Sequence, residues 1–255
     1  MKTQNHSKAP DCNKLPAITN NKDRIHYFGR DLEAMGFAEN YYKWLIDEVS
    51  FFLGDYVAEI GAGQGNFSSF LLNTDIKRLI AFEPSENMFP SLKRRFQNED
   101  RIQIVNTYLR DYPGGSAEPF DTAVYINVLE HIADDAKELA LIHNCLKTRG
   151  HVIILVPALS FLYSGYDKRL GHYRRYHRRE LMDKLTAAGF TVVEAKYLDF
   201  LGIIPWYLAF TVLRLSLTTG SVALYDRLCI PIVKRIESMV RMPFGKNLLL
   251  VAEKI

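Results

Sequence analysis

Three stretches of this 255-residue chain carry side chains whose type and spacing suit chemistry. In "EIGAGQGNF" (residues 59–67), glycines recur at 61, 63 and 65. Glycine is what a backbone needs in order to turn tightly and approach a ligand closely. The spacing is GxGxG, not the GxGxxG of dinucleotide sites. Glu59 stands two residues before the first glycine, where a carboxylate meets a cationic ammonium better than a pyrophosphate. Glu83 closes "RLIAFEP", and a carboxylate at a strand end can take both hydroxyls of a ribose. The third stretch, "GYDKRLGHYRRYHRREL" (165–181), sets six Lys or Arg and two His among three Tyr. His172 and His177 are candidate bases, because imidazole titrates near neutral pH. Tyr166, Tyr173 and Tyr176 can wall a pocket and orient an acceptor, and Arg174 and Arg175 can pair with a carboxylate or phosphate.

These residues need a frame. The pattern is helical over 42–52, then "YVAEIGAG" is β-rich and ends in glycines, and "NFSSFLL" has helical spacing. "RLIAFEP", "IQIVNTYL", "FDTAVYINV", "HVIILVPA" and "FTVVEAKYL" read as further strands, separated by helical stretches at 88–96, 134–146 and 180–188. "NLLLVAEKI" is the last strand. Strict alternation of this kind predicts a parallel α/β sheet wound on both faces. Two insertions, about 158–180 and 199–244, follow strands five and six. In wound sheets ligands bind beyond the carboxyl ends of the strands, so the first insertion is expected over the site.

"VAEIGAGQGNF", "AFEPSENM" and "FDTAVYINVLEHI" together resemble the class I S-adenosylmethionine-dependent methyltransferases, over about residues 57–157 and the last strand. The resemblance implies a doubly wound, Rossmann-like, seven-stranded sheet with an antiparallel last strand and helical cap insertions. It implies S-adenosylmethionine as cofactor, with Glu59, Gly61, Ala62, Gly63 and Gly65 around its methionine part. By the same resemblance Glu83 holds the ribose, Pro84 and Met88 border the adenine, and Asn127 lines the methionyl end. Relatives often carry "GD" after strand three; this chain has Thr107 and Tyr108, so Tyr108, a backbone carbonyl or Asp111 takes the adenine amino group.

"VLEHI" has two readings. Glu130 and His131 cap the next helix, or they resemble the Glu-His pair with which quinone-biosynthesis O-methyltransferases bind a metal together with a further acid. The position matching that acid is Asn127, so no metal is expected. "LGHYRRY" is read as an active-site lid, with His172, Tyr173 and Tyr166 as the catalytic set. Residues 178–180 are read as a solvated helix start, with His177 near its cap and Glu180 placed as in a capping box.

Net charge is +3, with 32 basic and 29 acidic residues. That balance, and "NVLE" where a base-flipping enzyme carries an NPPY-like motif, speak against a nucleic-acid substrate. Cys12, Cys145 and Cys229 form no CxxC or Cys/His pair, which argues against a zinc site or disulfide framework and fits a reducing cytosol. Residues 1–25 read as a flexible tail and 26–255 as one methyltransferase domain. "FLGIIPWYLAFTVLRLSL" (200–217) is short for a membrane span, is broken by Pro205 and carries Arg214. The 199–244 insertion either completes the core, forms a greasy acceptor tunnel, or rests on a membrane surface beside Lys234, Arg235 and Arg241. The expectation is a cytoplasmic enzyme, free or membrane-associated, that methylates an oxygen of a small-molecule or lipid-like acceptor. The rival is a non-catalytic scaffold on the same fold, which the intact glycine loop disfavours.

Overall fold

Parallel strands covered on both faces are apolar along their whole length, and "YVAEI" meets that condition: all of β1 (Tyr56–Ile60) is buried. The computed structural model describes residues 36–112, 118–215 and 218–255; the 1–25 tail lies outside them. β1 is followed by α2 (Asn66–Leu72), with α1 (Glu39–Val49) preceding it. β2 (Arg78–Phe82), α3 (Phe89–Arg95), β3 (Ile102–Val105) and β4 (Phe120–Ile126) come next. After them run α4 (Asp135–Cys145), β5 (Leu146–Pro157), α5 (Gly165–Leu170), α6 (Arg178–Ala187) and β6 (Phe190–Leu198). α7 (Ile203–Trp206), α8 (Thr219–Leu228), α9 (Ile230–Glu237) and β7 (Asn247–Lys254) finish the chain.

The strands form one seven-stranded sheet in the order β3-β2-β1-β4-β5-β7-β6. β7 runs antiparallel to both neighbours, and every other pairing is parallel. Alternate residues feed opposite faces, as the pleat requires. Ala123, Tyr125, Val152 and Ile154 pack with Leu139 and Ile142 of α4 and Leu181 and Leu185 of α6. Val124, Ile153, Leu155 and Leu249 pack with Trp44 and Leu45 of α1, Phe67 of α2 and Val233 of α9. The strand order reverses between β1 and β4, so the connections after these two strands diverge and open a crevice at their carboxyl ends.

Both insertions are tied down by buried polar contacts. Tyr176 donates its backbone N–H to the Pro157 carbonyl at 2.9 Å and accepts from Leu159 N at 3.2 Å, zipping 158–177 to the end of β5. In the second insertion the Asp226 carboxylate accepts from the N–H groups of Asn40 and Tyr41 at 3.0 and 2.9 Å, which caps the start of α1. Fully buried Asp199 receives the Tyr225 hydroxyl at 2.6 Å and Lys246 Nζ at 2.7 Å.

Several boundaries move. β3 stops at Val105, and "TYL" bends into a 3-10 turn, Leu109–Asp111. The apolar stretch after β6 is not one helix: α7 has four α-helical residues and passes into a π-helical segment, Tyr207–Val212. Pro205 sits in the first turn of α7, where a missing N–H costs no hydrogen bond. Among the described residues no helix is long and apolar enough to cross a membrane.

Candidate active site

The crevice has two halves. In the first, Gly61 and Gly65 hold φ of +70° and +81°, left-handed values that a Cβ disfavours by roughly 1–2 kcal/mol. A Cβ on Gly61 would also stand 2.7 Å from Val128 Cγ2, so the loop after β1 presses on the turn after β4. Gly63 takes φ +58°. The N–H groups of Gly61 and Ala62 both donate to the Phe82 carbonyl at 2.9 Å. Glu83, 4% exposed, accepts from Gly63 N at 2.6 Å and Ser85 N at 2.8 Å, tying the glycine loop to the end of β2. Each carboxylate oxygen has two acceptor directions, so Glu83 keeps capacity for hydroxyl donors. Glu59 is buried, accepts the Ser68 hydroxyl at 2.5 Å and forms no ion pair among the described residues. Burial pushes its carboxyl up to about 8 against the opposing Ser68 hydrogen bond. A buried acid without a cation is suited to receive one from a ligand.

Met88 is buried at the start of α3, and Pro84 precedes it half-exposed. Tyr108 follows β3 with the Arg110 guanidinium 4.2 Å from its ring centre. Asp111 pairs with Arg110 at 3.4 Å and is largely exposed. Asn127 takes φ +53° just past β4, its N–H held by the Leu155 carbonyl at 2.8 Å.

The second half is built by residues distant in sequence. Glu130 lies in a 3-10 turn, Leu129–His131, and is fully buried. It does not cap α4; the Asp134 side chain does, accepting from Lys137 N at 3.2 Å. Both Glu130 carboxylate oxygens lack a hydrogen-bond partner, and burial pushes the carboxyl up to about 7. Next to it the rings of His131 and His172 meet edge to face with centres 4.6 Å apart. Burial, with His172 adding to it, lowers His131 to about 3, so its imidazole is neutral. One donor atom from each of Glu130, His131 and His172 lies within 4.8 Å of the others. His172 thus comes from the first insertion to stand beside Glu130 and His131.

α5 makes this possible. Ser164 and Asp167 form a capping box at its start. The fully buried Asp167 carboxylate then accepts from Arg175 Nε at 2.8 Å and sits 3.2 Å from His172 Nδ1. Burial alone would raise Asp167, but the His172 hydrogen bond and the Arg175 charge hold it below the usual carboxylate range. Tyr173 N donates to the Glu130 carbonyl at 2.8 Å, fixing the segment on the turn after β4.

The rest of the expected lid does other work. Tyr166 is buried and stacks on Phe210 at 4.4 Å, joining the two insertions. Tyr176 is a core strut, its hydroxyl donating to Asp135 at 2.7 Å. Tyr173 is 60% exposed, with its ring beside Arg174. Arg174 pairs with Asp135 at 2.7 Å and Arg175 Nε with Asp167 at 2.8 Å, while Arg175 Nη2 is buried without a hydrogen-bond partner among the described residues. His177 precedes α6, but its ring bonds Ser160 Oγ at 2.8 Å and makes no capping box. "VLEHI" points to Glu130 as a cap or half of a Glu-His pair, not as an isolated buried carboxylate beside His172, and Asp167 is not singled out at all; its only signal is one acid in a basic run.

A methyltransferase-domain family model matches residues 34–195. An uncharacterized methyltransferase of Oceanobacillus iheyensis is 30% identical over 44% of the chain, which spans about half (52%) of that relative. Another, from Geobacillus, is 25% identical over 64% of the chain and 78% of its own length. A SAM-dependent methyltransferase of Thermotoga maritima, 22% identical, superposes with a TM-score of 0.60 over 89% of this chain and 96% of its own.

Proposed function

The chain belongs to the methyltransferase-domain family, its cofactor is S-adenosylmethionine, and on that premise we propose that it methylates an oxygen of a small or lipid-like acceptor. The first half of the crevice fits the cofactor: a left-handed glycine loop with no room for a Cβ at Gly61 or Gly65, and two buried carboxylates at adjacent strand ends. Glu59 receives the ammonium, giving up its proton as it does so, and Glu83 takes the ribose hydroxyls. When bound, the cofactor offers a sulfonium methyl carbon to an in-line oxygen lone pair, the carbon–sulfur bond breaking with its electrons to sulfur.

The observation that carries the oxygen assignment is Glu130, a fully buried carboxylate without partners beside two imidazoles at the end of β4. A hydroxyl keeps its proton at neutral pH and must lose it as the bond to carbon forms. A carboxyl held near 7 is matched to accept that proton. The first insertion closes over the turn after β4 and leaves Glu130 without solvent exposure, and exclusion of water is one requirement of such a displacement.

The lipid-like option rests on the second insertion. Ile204, Leu208, Leu213, Leu224, Leu228 and Ile232 are exposed, with Arg227, Lys234 and Arg235 on the same helices. An apolar face beside basic residues suits an anionic membrane surface. The test is a screen of hydroxylated metabolites and lipids with labelled cofactor, products being read by mass spectrometry and NMR. Methyl ethers or esters support the reading, and products methylated only at nitrogen or carbon overturn it.

A further inference from the structure

We propose that Arg175 and Trp206 form an acceptor subsite for a neutral carbonyl oxygen, carried next to the hydroxyl that Glu130 meets. The acceptor class is then a hydroxy-carbonyl compound. What carries this is the meeting of two buried donors and one buried acid, all unpartnered, from three separate parts of the chain.

Arg175 lies in the first insertion, its side chain 1% exposed. Its Nε donates to Asp167 at 2.8 Å and its Nη1 to the Ala158 carbonyl at 3.2 Å, which fixes the plane of the guanidinium. Nη2 is buried and has no hydrogen-bond partner among the described residues. Trp206 ends α7 in the second insertion, and its indole Nε1 is likewise buried and unpartnered among them. The guanidinium carbon stands 5.2 Å from the Trp206 ring centre. The indole is held in place by Phe210, ring centres 4.4 Å apart, and Tyr166, 5.7 Å apart.

Buried N–H groups nearly always have partners. Guanidinium and indole are donors only, so neither can satisfy the other, and the group missing from both is an acceptor. Glu130 does not fill that place: its charge acts on Arg175, but no hydrogen bond joins them. In the free protein water can occupy it. A ligand group that displaces such a water must reproduce its hydrogen bonds, so an oxygen is required there.

Charge selects a neutral oxygen. The Arg175 cation is already balanced by Asp167, and Glu130 is a second acid beside it. A carboxylate would be a third acid on one guanidinium. It would also hold on Glu130 the proton that a base must lack, since a like charge raises a carboxyl. A carbonyl brings two lone pairs and no charge. The inference rests on the reading of this half as the acceptor side and of Glu130 as its base.

The test uses full-length protein and three phenols of similar size: ortho-hydroxyacetophenone, ortho-ethylphenol and salicylate. Binding is measured by NMR titration with S-adenosylhomocysteine present, and methylation by mass spectrometry with S-adenosylmethionine. Wild type should favour the ketone over ethylphenol by roughly 10²-fold or more in kcat/KM, because a site built to hydrogen-bond a group rejects the analogue lacking it. Salicylate should bind more weakly than the ketone. Trp206→Phe removes one N–H and keeps the ring packing, and Arg175→Lys keeps the charge on Asp167 but loses the fork. Each should cut the ketone's advantage by roughly tenfold, with ethylphenol kinetics and cofactor affinity near wild type. If Arg175→Lys does not fold, as lost cofactor binding would report, Trp206→Phe alone decides. Equal handling of ketone and ethylphenol by wild type, including no binding of either, overturns the subsite. So does an equal loss for both in Trp206→Phe, which would make the indole part of the scaffold. Preference for salicylate overturns the neutral oxygen. Ketone-selective binding without methylation at oxygen would sink the oxygen reading and leave the subsite standing.

Discussion

Glu83 and Glu130 are both buried carboxylates beyond strand ends, Glu83 directly after β2 and Glu130 in the 3-10 turn that follows β4, yet they are opposite in kind. Glu83 is bonded to two backbone N–H groups of its own neighbourhood. Glu130 has no donor on either oxygen. The first is finished as a structural tie and meets a ligand with its spare lone pairs. The second is a carboxyl held out of water beside His131 and His172, with His172 fixed in turn by Asp167. On the function proposed above, the crevice would separate a half that binds from a half that reacts.

Substitutions on each side should separate affinity from turnover. The largest effect belongs to Gly63→Arg, which puts a long side chain at a left-handed position inside the cradle. Cofactor binding should vanish in calorimetry, and full binding would erase the distinction between the halves. His172→Ala should lower turnover by roughly 10² or more while leaving cofactor affinity near wild type, as read by steady-state kinetics beside calorimetry. A parallel loss of affinity would mean that the halves are not separate.

Glu83→Ala should cost about tenfold or more in cofactor affinity, roughly 1.5–3 kcal/mol, with little change in turnover at saturating cofactor. Glu59 gives a pH test. Its folded carboxyl is raised from 4.5 to about 8, so between those values the folded state keeps a proton that the unfolded chain releases. Glu59 therefore withdraws stability as pH rises through that window, and Glu59→Gln should flatten that part of the denaturation profile. Cofactor affinity should rise severalfold over the same range in wild type and not in the variant. The smallest effect is that of Arg178→Ala. Arg178 is exposed at the start of α6, its guanidinium near the Tyr197 ring, and turnover should stay within about twofold.

The cofactor half was legible because its residues are consecutive. Glycines between a strand and a helix, with a carboxylate at the next strand end, state a local backbone requirement that sequence spacing can carry. The reacting half was not, because its geometry depends on where the chain returns. The "GHYRRY" stretch announced itself by charge, but its arginines pair with Asp135 and Asp167, and it is His172 whose ring meets His131 beside Glu130. Asp167 looked like one acid in a basic run. Its role appears only when the capping box turns it inward beneath the imidazole.

By itself the sequence determined the alternation of strands and helices, the wound sheet and the glycine loop, since periodicity and backbone demands are local properties. Tertiary structure decided the partners of each buried charge. Burial sets what an unpaired carboxylate costs, and the crossing of β4, β5 and the insertion after them brought Glu130, His131 and His172 to one point.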